Sequence, residues 1–299
     1  MTPVPHGAIA ALATPLDERG DLDEAGLTKL VDRVVGAGVV GISPTGSTGE
    51  GARLSRAQRL EVTRLVRERV PAGMPVISGV PLASVAEGLD ELHGLAERGA
   101  TAALVAPPYY YPLQDTEALR LYEDLAERSP LPVVLYNIPV FTKVSFAPHV
   151  VGALAAHPNI AGIKDSSRDI EYFQKVLAAT EGTDFAVVTG SDTYLVACLL
   201  AGATGTIAAS INLVPHLPVG IYDAVVAGDL GEALRLEREL CHVIHLCRGG
   251  TPPVAWKAAL AHVGVCQPYP AAPASMLTPE QHDTLIRELT TPRVLPLIT

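Results

Sequence analysis

The chain has 299 residues, a formal charge of −10 and a 48% share of hydrophobic residues. Such a length and apolar content suit one large α/β barrel with an extension, or two ordinary domains, and exclude a disordered chain. An acidic chain without a basic run is a poor partner for nucleic acid, and no run of about 18 apolar residues is present to cross a membrane.

Short apolar runs alternate with longer amphipathic stretches. In chain order the runs are Ala8–Ala13, Val39–Ser43, Val76–Gly79, Ala102–Ala106, Val133–Tyr136, Ile160–Ile163, Ala186–Thr189 and Gly205–Ala208. Each reads as a strand. Between them, Ser55-x-x-Gln58 and Ser84-x-x-Glu87 read as capping boxes that start helices. Leu60, Leu65 and Val66 fall on one face of the second helix, with Arg59, Arg64 and Arg67 mostly on the other. The strands are too uniformly apolar to have a wet face, as in parallel sheets covered on both sides. Eight strand–helix units in about 210 residues predict a (β/α)8 TIM barrel, with a doubly wound sheet as the alternative. Further on, Leu213–Ala227, Leu230–Cys247 and Pro253–Val263 read as helices. A last one starts at Thr278-Pro279-Glu280-Gln281, with proline at its first position. The expected organisation is a barrel over residues 1–228 and a C-terminal helical extension over 229–299, packed on it as a single structural unit. Pro268–Pro273 is a connector.

In such barrels the chemistry lies at the C-terminal ends of the strands. The polar residues following the runs are Thr14, Gly46-Ser47-Thr48-Gly49-Glu50, Tyr109-Tyr110-Tyr111, Tyr136-Asn137-Ile138-Pro139, Lys164-Asp165-Ser166-Ser167, Gly190-Ser191-Asp192, and Ser210 with Asn212. Lys164 directly follows an apolar run in a chain with only five lysines. Burial disfavours an ammonium and frees the amine to attack a carbonyl; the plain alternative is a solvated lysine beside Asp165. Tyr136 ends the neighbouring strand, where its phenol could move protons or simply fill the core. The Gly46–Glu50 turn offers two hydroxyls and several backbone N–H groups, a nest suited to a carboxylate, or else a mere turn. It is neither a dinucleotide loop nor a P-loop.

The four cysteines, Cys198, Cys241, Cys247 and Cys266, form no CxxC pair and read as free thiols in a reducing compartment. Met1–Ala10 has no cationic segment ahead of its apolar stretch. A soluble, cytoplasmic protein is expected. His242-x-x-His245 could share a helix face, but no third ligand is evident, so neither a metal nor an organic cofactor is expected.

Taken in order, GSTGE (46–50), PPYYYP (107–112), YNIP (136–139), GIKDSS (162–167), GSD (190–192) and the stretch from Gly202 to Pro215 resemble the dihydrodipicolinate synthase / N-acetylneuraminate lyase superfamily. The likeness runs from about Gly7 to Val265. It implies that Lys164 forms a Schiff base with a pyruvate-type 2-oxo acid and that Tyr136 shuttles protons. Ser47 and Thr48, with Gly49 in the same turn, would hold the carboxylate. Ile207 would line the site through its carbonyl, and Phe141, Ser166, Gly190 and Asp192 would face substrate. Tyr110 would cross a dimer interface into the neighbouring site, in a homodimer or a homotetramer built as a pair of dimers.

The departures bear on substrate. Dihydrodipicolinate synthases usually carry a carboxylate-binding arginine where this chain has Phe141, and a glycine where it has Lys143; if the aldehyde is anionic all the same, Arg168, in the loop after the sixth run, is the candidate for a replacement anion site. Sialate lyases usually have glutamate where it has Thr193. PPYYYP and KDS look most like 2-keto-3-deoxygluconate aldolases. The expectation is an enzyme that makes or breaks a C–C bond between pyruvate and an aldehyde, with a 2-keto-3-deoxy sugar acid as substrate. The alternatives are 4-hydroxy-tetrahydrodipicolinate synthase, N-acetylneuraminate lyase or a keto-sugar-acid dehydratase. A non-catalytic 2-oxo-acid sensor is a remoter one, against which the intact Lys164 and Tyr136 argue.

Overall fold

The computed structural model describes residues 4–298. Eight strands, β1 (Gly7–Ala11), β2 (Gly41–Ser43), β3 (Ile77–Pro81), β4 (Ala102–Ala106), β5 (Val133–Asn137), β6 (Ile160–Asp165), β7 (Ala186–Thr189) and β8 (Gly205–Ala208), lie in the order β2-β1-β8-β7-β6-β5-β4-β3. Every pairing is parallel. The two end strands meet through a parallel bridge between Ile42 and Val76, which brings the sheet round into a barrel.

The helices are α1 (Glu24–Gly36), α2 (Arg56–Arg69), α3 (Val85–Glu97), α4 (Asp115–Arg128), α5 (Pro139–Thr142), α6 (Pro148–Leu154), α7 (Ile170–Ala179), α8 (Leu195–Ala201) and α9 (His216–Val226). After the barrel come α10 (Leu230–Leu246), α11 (Val254–His262), α12 (Pro279–Leu289) and α13 (Leu295–Ile298).

The alternation of strand side chains decides what faces the centre. Ile9, Ala11, Ile77, Leu104, Val134, Tyr136, Val188 and Ile207 form one cluster inside the barrel. Their neighbours in the chain, among them Ala8, Ala10, Val105, Leu135 and Val187, join clusters with the surrounding helices. Removing a Leu or Val side chain of this kind from water stabilises the fold by about 1.5–3 kcal/mol. The outer cluster also takes in Leu240 and Val243 of α10 and Leu285 and Leu289 of α12, beside Val31 and Val34 of α1. The helices after residue 229 thus share a core with the barrel. Residues 1–3 and Thr299, the extremes of the expected segments, lie outside the described residues.

Several local expectations need correction. Ser55 and Gln58 form a full capping box at α2, but at α3 only the Ser84 half is made, accepting from the Glu87 N–H. Arg59 does not lie on a wet face: its guanidinium meets the buried Glu91 carboxylate of α3 at 2.5 Å. The segment expected to begin a helix at Leu213 starts it at His216, after a short 3₁₀ turn over Ser210–Asn212. Asn212 is occupied there in holding β1, taking the Ala13 N–H on its Oδ1 and donating to the Ala11 carbonyl. β5 and β6 run further than their apolar runs, through Asn137 and Asp165.

Candidate active site

The longer β6 places Lys164 inside the ladder. Tyr136 of β5 and Lys164 of β6 are direct partners in register, as are Val134 and Gly162 below them. Both top residues therefore point into the barrel. Lys164 is 5% exposed, its Nζ lies 4.5 Å from the centre of the Tyr136 ring, and it has no hydrogen bond or ion pair among the described residues. The alternative of a solvated lysine beside Asp165 does not hold. Asp165 is bonded to Asn137 Nδ2 at 2.7 Å and to the Ser167 hydroxyl at 2.9 Å. Burial pushes its carboxyl above the usual range, against those hydrogen bonds.

Two glycines make room for this arrangement. A Cβ on Gly162 would stand 2.5 Å from the Ala186 carbonyl oxygen of the adjacent strand. A Cβ on Gly190 would stand 2.7 Å from Lys164 Cε and collide with Ser166 Oγ.

The Tyr136 hydroxyl lies 3.2 Å from Ser47 Oγ. Ser47 and Thr48 belong to a turn bracketed by two left-handed residues, Thr45 at φ 57° and Glu50 at φ 56°. The turn is closed by Glu50 N–H to Ser47 O, at 3.1 Å, and Gly51 N–H to Gly46 O, at 3.0 Å. The backbone N–H groups of Ser47 and Thr48 have no acceptor among the described residues. An unpaired pair of N–H groups at a tight turn is a ready site for an anion.

Behind the turn, Glu50 and Lys257 of α11 form an ion pair at 2.6 Å, with both side chains fully buried. The second Glu50 oxygen accepts from the Ala271 N–H at 2.9 Å. Burial pulls the Lys257 ammonium below its usual value, while the charge of Glu50 works the other way. Nothing in the sequence pattern joins these two residues.

Asp192 is buried as well. Ser210 donates its hydroxyl to Oδ2, while Oδ1 has no partner among the described residues. Burial pushes this carboxyl up to about 6; the Ser210 bonds and the Lys164 charge act in the opposite direction.

Two cavities meet here. A polar one of about 440 Å³ holds Lys164, Ser166, Asp192, Arg168 and Arg248. An apolar one of about 280 Å³ lies among Val80, Leu82, Leu104 and Tyr109. Ser47, Tyr136, Ile138, Phe141 and Pro252 line both, so Phe141 stands on the divide.

The polar cavity brings together Ser47, Thr48, Tyr136, Phe141, Lys164, Ser166, Gly190, Asp192 and Ile207. Gly49 is not among its lining. A Cβ there would lie 2.7 Å from Thr45 N and 2.9 Å from Leu12 O, so glycine is present for close backbone packing. Tyr110 also stands apart, 81% exposed and edge-on to Tyr111. Sequence reasoning named Glu50 without giving it a role, and missed Lys257, Arg248 and Trp256. The Gly/Pro-rich segment Gly249-Gly250-Thr251-Pro252-Pro253 between two helices was the one available hint of a functional loop there. Among the described residues, no three His, Cys, Asp or Glu side chains are grouped to hold a metal ion. No helix among them is long and apolar enough to cross a membrane.

A buried amine that is tied up in no hydrogen bond or ion pair is suited to attack a carbonyl. A tyrosine hydroxyl coupled to a serine can carry the protons that imine formation requires. Fold and site define a class I aldolase or lyase, an enzyme working through a lysine Schiff base. The chain belongs to the dihydrodipicolinate synthetase family, whose model matches residues 4–291, and shares that family's pyruvate-dependent chemistry.

A 4-hydroxy-tetrahydrodipicolinate synthase from Methanoculleus marisnigri is 33% identical over 87% of this chain and 90% of its own length. YagE from E. coli K12, a member of the dihydrodipicolinic acid synthase family solved in complex with pyruvate, superposes with a TM-score of 0.92. It is 29% identical, covering 98% of this chain and 99% of its own. A dihydrodipicolinate synthase described as the first monomeric variant superposes at 0.91 with 26% identity, covering 95% and 96%.

Proposed function

We propose that this enzyme joins pyruvate to an aldehyde that carries its own carboxylate, the type of reaction for which its 4-hydroxy-tetrahydrodipicolinate synthase relatives are named. The observation that carries the reading is the register pairing of Tyr136 with Lys164, with Ser47 on the tyrosine hydroxyl. Lys164 Nζ attacks the pyruvate carbonyl, and Tyr136 delivers the proton with which the carbinolamine oxygen leaves as water. The imine then loses a C3 proton to Tyr136 to give an enamine, whose carbon attacks the aldehyde while the proton passes to the aldehyde oxygen. Water finally releases the product from Lys164. The unpaired N–H groups and hydroxyls of Ser47 and Thr48 take the pyruvate carboxylate.

The names of the relatives favour this substrate over the 2-keto-3-deoxy sugar acid expected from PPYYYP and KDS. One observation keeps the sugar acid as a second reading: the unpartnered Asp192 oxygen would accept a bond from a substrate hydroxyl. We further propose a dimer in which the exposed Tyr110 enters the neighbouring site, and a reducing, cytoplasmic setting suited to the free cysteines.

The direct test is reduction with borohydride in the presence of pyruvate. A reduced pyruvyl mass is expected on Lys164, and label on another lysine, or none, would overturn the mechanism. Tyr136→Phe should fold and lower kcat by about 10²–10⁴; a near-normal kcat would return Tyr136 to a packing role.

A further inference from the structure

The missing arginine at position 141 leaves the second carboxylate of such a substrate without its expected partner. The polar cavity is lined by two arginines, both exposed, that have no hydrogen-bonding partner either. Arg168 follows β6, four residues after Lys164, and Arg248 follows α10. Neither side chain makes an ion pair or a hydrogen bond within the described residues, Asp192 in the same cavity included. Most other arginines in the chain are committed: Arg59 to Glu91, Arg64 to Glu61 and Glu68, and Arg69 to Asp32.

Arg168 is unusual in its backbone as well. It adopts φ 63°, the left-handed region in which glycine is at ease and other residues are strained. Strain of this kind gathers at ligand sites, and here it sits in the loop directly above the nucleophile. The barrel order adds a geometric argument. β2 and β6 are four strands apart in a ring of eight, on opposite sides of the mouth. The nest of Ser47 and Thr48 follows β2, and Arg168 follows β6. A molecule with an anion at each end and its reacting carbons between them would span the site over Lys164. In a chain of net charge −10, two local cations are also what would draw such a molecule in.

We propose that Arg168 and Arg248 bind an anionic group on the aldehyde, so that this enzyme selects an anionic aldehyde without an arginine at position 141. The inference rests on the imine reading above. Guanidinium can take a carboxylate or a phosphate in two parallel hydrogen bonds, so the test includes both.

The experiment measures kcat/KM at saturating pyruvate for L-aspartate 4-semialdehyde, glyceraldehyde 3-phosphate and neutral glyceraldehyde. It uses the wild type, Arg168→Gly, Arg168→Lys and Arg248→Ala. Arg168→Gly suits the left-handed backbone, so loss of fold does not cloud the result. The wild type should prefer one of the anionic aldehydes, and which one identifies the group. Arg168→Gly and Arg248→Ala should each cut the ratio of anionic to neutral kcat/KM by about 10–100-fold, the loss expected for a charge-assisted bond. Arg168→Lys should restore part of it, and added salt should weaken the preference in wild type. A wild type that uses neutral glyceraldehyde as well as either anion, or variants whose ratio stays within about twofold of wild type, would overturn the assignment. Pyruvate alone, trapped by borohydride in each variant, separates the two levels. Label on Lys164 with an unchanged ratio rejects the arginine site only, whereas no label in the wild type rejects the imine reading.

Discussion

Replacing Lys257 with methionine removes one charge from a pair that water does not reach. Glu50 and Lys257 meet at 2.6 Å with neither side chain exposed. In the variant the Glu50 carboxylate keeps the Ala271 N–H and a 3.4 Å contact with Arg53, but it loses its closest countercharge while remaining buried. Breaking a pair of this kind costs about 3–5 kcal/mol, because the charge left behind is uncompensated. For a chain of this size that is a fall in Tm of about 5–8 °C. The effect also reaches the site. Glu50 ends the turn that carries Ser47 and Thr48, and it ties that turn to α11 and to Ala271, so the KM for pyruvate should rise. The double variant Glu50→Gln/Lys257→Met leaves no isolated charge and should recover much of the lost stability. Thermal unfolding followed by circular dichroism, with steady-state kinetics in pyruvate, measures both effects. A single variant that melts within about 2 °C of wild type, close to the shift expected for only 1 kcal/mol, would refute the view that this pair anchors the turn of Ser47 and Thr48.

Gly190→Ala places a methyl group 2.7 Å from Lys164 Cε, so the amine must move; kcat should fall by about tenfold or more, as for a misplaced reacting group, and an unchanged kcat would show that the lysine has room to spare. The Asp192 carboxyl is pushed up to about 6 by burial, so its contribution to stability is complete below about pH 4 and is lost as pH rises through 6. Asp192→Asn, which cannot ionise, should therefore gain in Tm relative to wild type between pH 4 and 7, by an amount worth at most about 3 kcal/mol; a Tm difference flat across that range would contradict the raised value. Light scattering should find no monomer at micromolar concentration, and Tyr110→Phe should lower activity without changing the mass; a fully active monomer would remove Tyr110 from the neighbouring site.

The eight strands were legible because a strand buried on both faces leaves an unbroken apolar run, and each run is bounded by polar residues. The same feature explains the errors at the ends of β5 and β6. Asn137, Lys164 and Asp165 are polar, so the pattern stops before them, yet the ladder continues through all three. In a barrel the last rungs are where chemistry needs polar groups, and there an apolar pattern must under-read a strand. Lys164 and Tyr136 were found because each stands alone at such an end, and because adjacent strands bring them side by side.

Other parts of the site follow a different logic. In the sequence Gly79 ends the third apolar run and Gly190 follows the seventh, and neither position shows why glycine is needed there. In the structure they are gaps: a Cβ on Gly79 would stand 2.6 Å from the Thr45 carbonyl oxygen, as one on Gly190 would press on the lysine. The partner of Glu50 lies 207 positions away, beyond any periodicity. Arg248 reaches the cavity from a segment that belongs to the helices after the barrel. Phe141 in place of an arginine was visible as a loss and Arg168 as its candidate replacement, but Arg248 becomes visible only when the loops are assembled around the mouth. Chemistry that depends on strand ends is therefore written locally in this chain. Specificity, which depends on loops from distant segments meeting in one cavity, is written in the fold.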